Sequence, residues 1–178
     1  MSEKKDVYSD VKGQMRLSER IAAFLPGFRG YKEKELRRES DRLVRNHLTL
    51  KLSMAKKDLR TISQKLADRR YLDVITDMDR LLAKMDRVVE KINHASYGYT
   101  GLFDAVKVKE EALDRMIAFD SQLIDEINAL SAEIDAFKTD LASGLNTNLK
   151  ARIQNSIDEL ESVEDTFDKR GEVILGVN

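Results

Sequence analysis

Apolar residues recur along most of this chain in alternating steps of three and four. Leu48, Leu52, Ala55, Leu59, Ile62 and Leu66 form one such series, and Ile75, Met78, Leu82, Met85, Val89 and Ile92 a second. Met116, Leu123, Ile127, Leu130, Ile134, Phe137 and Leu141 form a third, with Asp120 in its missing step. Leu149, Ile153, Ile157, Leu160, Val163 and Phe167 complete the pattern. That period stacks each series on one face of an α-helix that packs against another helix. Val74, Leu81 and Val88 widen the second series, so that helix is expected to touch two partners.

Breaker residues set the expected ends. The first long helix should run from about Tyr31 to Arg69, with a break near Arg70-Tyr71, and the second to about His94. The third should span roughly 103–143, ended by Gly144 as the residue just past the helix, and the fourth roughly 147–169, ahead of Gly171. Residues 17–25 read as a short helix, with Ser18 a candidate N-cap and Pro26-Gly27 the stop. Leu17, Ile21, Phe24 and Leu25 share its apolar face. Only the tail VILGV could be read as a strand.

The expected fold is therefore all-α: an elongated antiparallel helical bundle, or coiled-coil hairpins, of four long helices plus a short N-terminal amphipathic helix. Residues 1–16 are expected to be a flexible segment, 17–170 the helical domain and 171–178 a C-terminal tail. At about 1.5 Å per residue the first and third long helices would reach about 55–60 Å. The chain either reverses at residues 95–101, giving an up-down bundle, or only kinks there, and the pattern leaves both open.

Composition agrees with long solvated helices: 35% of the residues are charged, and there is one Pro and no Cys or Trp. The absence of Cys excludes disulfides and thiolate metal sites and fits a reducing cytoplasm. The N-terminal MSEKKDVYSDVKGQMRLSER is polar, and the longest uncharged apolar run, IAAFLPGF, is too short for a bilayer span. A cytoplasmic protein is the expectation. The net charge of −1 hides an asymmetry: residues 1–70 hold 19 Lys and Arg against 10 Asp and Glu, and the remainder holds 12 against 22. Such a dipole is settled by packing within the molecule or by association between molecules.

Candidate chemistry is sparse. His47 and His94 are the only histidines, and with Glu90, one turn before His94, they are weak candidates for a divalent metal. The carboxylates and Glu-x-x-His pattern of di-iron bundles are missing, so no metal and no cofactor are expected. Asp120 on an apolar stripe is read as a register-fixing residue paired with an arginine of the basic first helix, rather than as a raised-pKa acid. No nucleophile triad, P-loop, dinucleotide fingerprint or zinc spacing occurs, and no enzyme is expected.

Two aromatic-glycine patches, FLPGFRGY and SYGYTGLF, hold Phe24, Phe28, Tyr31, Tyr97, Tyr99 and Phe103. They are read as packed joints first and as partner-docking rings second. The stretch Arg42 to Lys57 has five cations and no acid. Its Arg42, Arg45, Lys51, Lys56 and Lys57, with Arg16, Arg20 and Arg29, are candidates for binding an acidic partner or anionic lipid. Nucleic acid is disfavoured, because the domain is not basic overall and has no base-reading motif. The expected function is a non-enzymatic helical scaffold or adaptor that binds protein partners, among them further copies of itself. The alternative is a peripheral protein assembling on anionic membrane through its basic N-terminal half. A metal-binding helical-bundle enzyme is the remote third.

Overall fold

The computed structural model of the chain describes residues 18–28, 34–95 and 110–175. Among them the fold is all-α, with no strand. Residues 18–24 form α1; α2 is Lys34–Asp68, α3 Ile75–His94, α4 Glu110–Ser143 and α5 Leu149–Leu175. A single 3-10 turn, Leu72–Val74, leads into α3.

Both observed hairpin turns use the same C-terminal device. At the end of α4, Leu145 N–H donates to Asp140 C=O (2.9 Å) and Gly144 N–H to Leu141 C=O (3.3 Å), with Gly144 at φ +84°. At the end of α2, Tyr71 N–H donates to Leu66 C=O (3.0 Å) and Arg70 N–H to Ala67 C=O (3.0 Å). This six-to-one and five-to-two pairing satisfies carbonyls that the last turn leaves without a helical donor. Glycine is the residue that adopts the left-handed conformation without a Cβ penalty; in the first turn Arg70 adopts it instead, at φ +61°. Arg69 then joins the two turns, its Nη1 donating to Leu141 C=O (2.7 Å) and Asn146 Oδ1 (3.3 Å). A cation here also opposes the negative end of the α4 dipole.

The fourth helix continues past its expected end. Gly171 lies inside α5, which reaches Leu175, so residues 171–175 are helical and not strand. One glycine costs a helix only about 1 kcal/mol, less than the packing it would forfeit by stopping there.

The chain divides into two compact units interleaved in sequence. One comprises residues 48–94 and 125–165, the other residues 1–47, 95–124 and 166–178. The first is a four-helix arrangement of α2, α3, α4 and α5. Its ion pairs identify which helices are neighbours: Lys56–Asp86 joins α2 to α3, and Lys138–Asp58 (2.5 Å) joins α4 to α2. Lys84–Glu161 (2.6 Å) and Arg87–Glu164 (3.0 Å) join α3 to α5, and Arg152–Glu133 (3.0 Å) joins α5 to α4. These four sides make α2 and α5 diagonal, and likewise α3 and α4. Partners on α2 and α4 advance together along the chain, as do those on α3 and α5, whereas α2–α3 and α4–α5 partners run oppositely. The chain direction has therefore reversed between α3 and α4, which decides the topology in favour of up-down-up-down.

Leu48, Leu52, Leu59, Ile62, Leu66, Leu130, Ile134, Leu141, Ile153, Leu160 and Val163 are fully buried in this unit. Each such side chain contributes about 1.5–3 kcal/mol. On α3 the seam is centred one residue away from the expected series. Val74, Met78, Leu81, Met85, Val88 and Ile92 are at most 1% exposed, while Ile75 and Leu82 are half-buried.

The second unit combines α1 with the remaining parts of α2, α4 and α5. Ile21, Leu25 and Phe28 are buried, alongside Val44, Met116, Ile117, Leu123, Ile124 and Phe167. The Pro26-Gly27 turn, closed by Phe28 N–H donating to Leu25 C=O (3.0 Å) with Gly27 at φ +93°, carries Phe28 back inwards. A Cβ at Gly27 would sit 3.8 Å from Leu43, which places the turn on α2.

Candidate functional surfaces

Among the described residues the buried charges lie in the interior of the second unit. Asp41, Arg45, Asp120 and Arg170 are 3%, 7%, 0% and 0% exposed. Arg170 Nε donates to Asp120 Oδ1 (2.5 Å) and its Nη2 to Asp41 Oδ1 (2.9 Å), while Arg45 Nη2 and Nε meet Asp41 Oδ2 at 2.7 and 2.9 Å. Among the described residues, two carboxylates and two guanidiniums thus tie three helices together. Gln122 Nε2 adds a bond to Thr166 Oγ1 (3.3 Å). A guanidinium held by two carboxylates is a structural tie, built from charge-assisted hydrogen bonds.

Among the described residues the arginine bonded to Asp120 is Arg170, of the last helix. Arg170 was missed because Gly171 reads as a helix end. Carried on, the α5 seam of Val163 and Phe167 reaches Arg170 by a further step of three. Asp41 was legible in the same way, one step before Val44 and Arg45 on α2.

The other sequence candidates are dispersed. His94 is an exposed surface residue bonded to Glu90 at 2.9 Å (side chains 62% and 63% exposed). His47 is half-buried on α2. Among the described residues no group of three or more histidines, cysteines or acids could hold a metal ion. Phe28 is 7% exposed and part of the core, so it is not a docking ring, whereas Phe24 is 48% exposed. Tyr31, Tyr97, Tyr99, Phe103, Arg16 and Arg29 lie outside the described residues. Arg45 is buried against Asp41 and is not offered to a lipid or acidic partner, and Lys56 is paired with Asp86. Arg20, Arg42 and Lys57 are exposed, and Lys51 is half-buried.

Outward faces of the four-helix unit carry a signal that the seam pattern concealed. Leu50 and Met54, one turn apart on α2, are 61% and 60% exposed, beside exposed Lys57 and Arg60. Leu72 and Leu145, in the two turns that Arg69 joins, are 72% and 59% exposed. On α5 the outward face is acidic, with Asp158, Glu161 and Asp165 all exposed.

Two carboxyls on the flanks of this unit titrate abnormally. Burial raises Glu159, and nearby Glu133 adds to the shift. Burial also pushes Glu164 upwards, but bonds from Arg87 and Lys91 outweigh it and leave that carboxyl lowered. Lys138 is raised by its hydrogen bond to Asp58. None of the three stands beside a nucleophile or a histidine base in the ion pairs described. No described helix is long and apolar enough to cross a membrane. No family model matches the chain, and neither a curated protein nor a solved structure matches it.

Proposed function

We propose that this protein is a non-enzymatic helical scaffold or adaptor that works by helix-to-helix association with protein partners. One observation carries the reading: Leu50 and Met54 stand one turn apart, about 60% exposed, on the outer face of α2. They belong to a unit whose interior is formed by other residues, among them Leu48, Leu52, Leu59 and Ile62. An apolar pair bordered by cations on a helix exterior suits the laying-on of another helix, where i and i+4 side chains act as anchors. The buried charges of the described residues, by contrast, pair with one another.

The test is sedimentation equilibrium of the intact chain and of a Leu50→Asp/Met54→Asp variant. Both side chains are exposed, so circular dichroism should be unchanged, and concentration-dependent mass should be present in the wild type and absent in the variant. A wild type that stays monomeric at every concentration and salt overturns the self-associating form of the proposal.

A second reading rests on Phe24, 48% exposed and next to exposed Ala22 and Ala23 and near Arg20 on α1. An aromatic ring and a cation on a short surface helix suit reversible binding to anionic lipid. Flotation with phosphatidylserine vesicles, abolished by Phe24→Asp and absent with neutral vesicles, is the result this reading requires.

A further inference from the structure

Within the four-helix unit, lateral ion pairs consume the charges that face neighbouring helices. What they leave outward differs in sign between two diagonal corners. On the α2 corner Lys57 and Arg60 are exposed and take part in none of the ion pairs of the described residues. On the α5 corner Asp165 is exposed in the same way, Asp158 is held only by Gln154 of its own helix (2.7 Å), and Glu161 remains 55% exposed while bonded to Lys84. Each face also runs from apolar to charged along its helix. Leu50 and Met54 precede Lys57 and Arg60, and exposed Ala151 precedes Asp158 and Asp165.

Resting on the scaffold reading, we infer that the partner of the α2 outer face is the α5 outer face of a second copy of this chain. The two faces are complementary in charge and lie at opposite corners, so a contact between them is heterologous: it uses one face of each copy and leaves the other free. Such a contact adds further copies and does not close at two. Opposite charges set the pairing and its rate of formation, and they make it sensitive to salt.

The experiment is a charge swap read by size exclusion with light scattering over a concentration series, at low and high salt. Wild-type mass should rise past that of a dimer at low salt and fall at high salt. Lys57→Glu/Arg60→Glu makes both faces acidic, and Asp158→Lys/Asp165→Lys makes both basic. Each variant alone should associate at least about tenfold more weakly. An equimolar mixture should recover wild-type association, because every contact in it is again of opposite sign. Exposed positions keep the fold intact, which far-UV circular dichroism checks. Recovery in the mixture supports the assignment. A mixture that fails to recover, or a wild-type mass that stops at a dimer, overturns it. Association lost in Leu50→Asp/Met54→Asp but indifferent to the α5 reversal also overturns it while leaving the scaffold reading standing. A strictly monomeric wild type overturns it together with the self-associating form of the scaffold reading.

Discussion

Replacing Arg170 with Met removes the guanidinium that joins three helices and keeps a side chain of similar length in its place. Its two carboxylate partners do not suffer equally. Asp41 retains Arg45 at 2.7 Å, whereas the Arg170 bond of 2.5 Å is the ion pair that holds Asp120, which is 0% exposed. The substitution therefore takes a guanidinium from both buried carboxylates, and Asp41 keeps Arg45. Breaking a buried pair from one side costs about 3–5 kcal/mol, and that range is the expected loss for Arg170→Met. Removing both partners, in Asp120→Leu/Arg170→Met, should recover most of it, since an apolar replacement of a buried pair is near neutral. Urea unfolding followed by circular dichroism gives the stabilities. Because the chain forms two units, hydrogen exchange must accompany it, with the loss of protection concentrated at residues 39–47, 116–124 and 166–173. A single variant that loses under about 1 kcal/mol, or a double variant no more stable than the single, would refute the assignment of this pair as a buried tie.

The two hairpin turns make a matched pair of predictions. Arg70→Gly, at φ +61°, should stabilise the protein by about 0.5–1 kcal/mol, and Gly144→Ala, at φ +84° with open space around it, should cost about 1 kcal/mol, both read by urea midpoint. Glu164 has a folded pKa below its ordinary 4.5, so its stabilisation is present above that pH and fades as pH falls through the lowered value. Glu164→Gln should therefore cost about 1 kcal/mol at pH 7 and progressively less in acid. Glu159 has the opposite sign: its folded pKa lies above 4.5, the folded state binds the extra proton, and stability falls as pH rises through that window. Glu159→Gln should raise the melting temperature at pH 7 and change it little near pH 4; a variant less stable at pH 7 would contradict the burial assigned to this carboxyl.

Period alone made the four long helices legible, because each apolar face is spent on neighbouring helices and the steps of three and four report that directly. The ends were legible where a breaker also satisfied the geometry, as at Gly144, and misleading where it did not, as at Gly171. The α3 seam was displaced by one residue because that helix faces α2 and α5 together, and the widest stripe then has no single centre in the sequence. Asp120 announced a buried polar site by interrupting its stripe. Its partner could not be named, since a long side chain fifty residues away reaches it only once three helices are in place. Leu50 and Met54 were hidden for a different reason: in a chain read for its seam, an apolar residue off the seam carries no periodic signal.

The buried ionic tie bears on how these helices find their register. Along α4 and α5 the buried positions recur every seven residues: Asp120, Ile127, Ile134 and Leu141 on one, Leu149, Ser156, Val163 and Arg170 on the other. A slip of one heptad would exchange one aliphatic side chain for another over most of that length and cost little, because apolar burial is non-directional. The ends of the two series differ. Slipped one way, Arg170 comes level with Ile127; slipped the other way, Asp120 comes level with Val163. In either slip the two charges part, and one of them is set against hydrocarbon, at a cost of several kcal/mol. The pair adds little to stability relative to an apolar equivalent, yet it separates the native register from its nearest competitor. For a protein proposed to act through outward faces at set positions on α2 and α5, that separation is functional. A one-heptad slip shifts Asp158 and Asp165 by about 10 Å along the bundle and removes them from the level at which a second copy would meet them. Asp120→Leu/Arg170→Met should accordingly keep near-native stability while losing uniqueness, and doubled resonances from Ile153, Leu160 and Val163 in methyl NMR spectra are the expected sign. A single sharp set of methyl resonances in that variant would show that the apolar seam specifies register unaided.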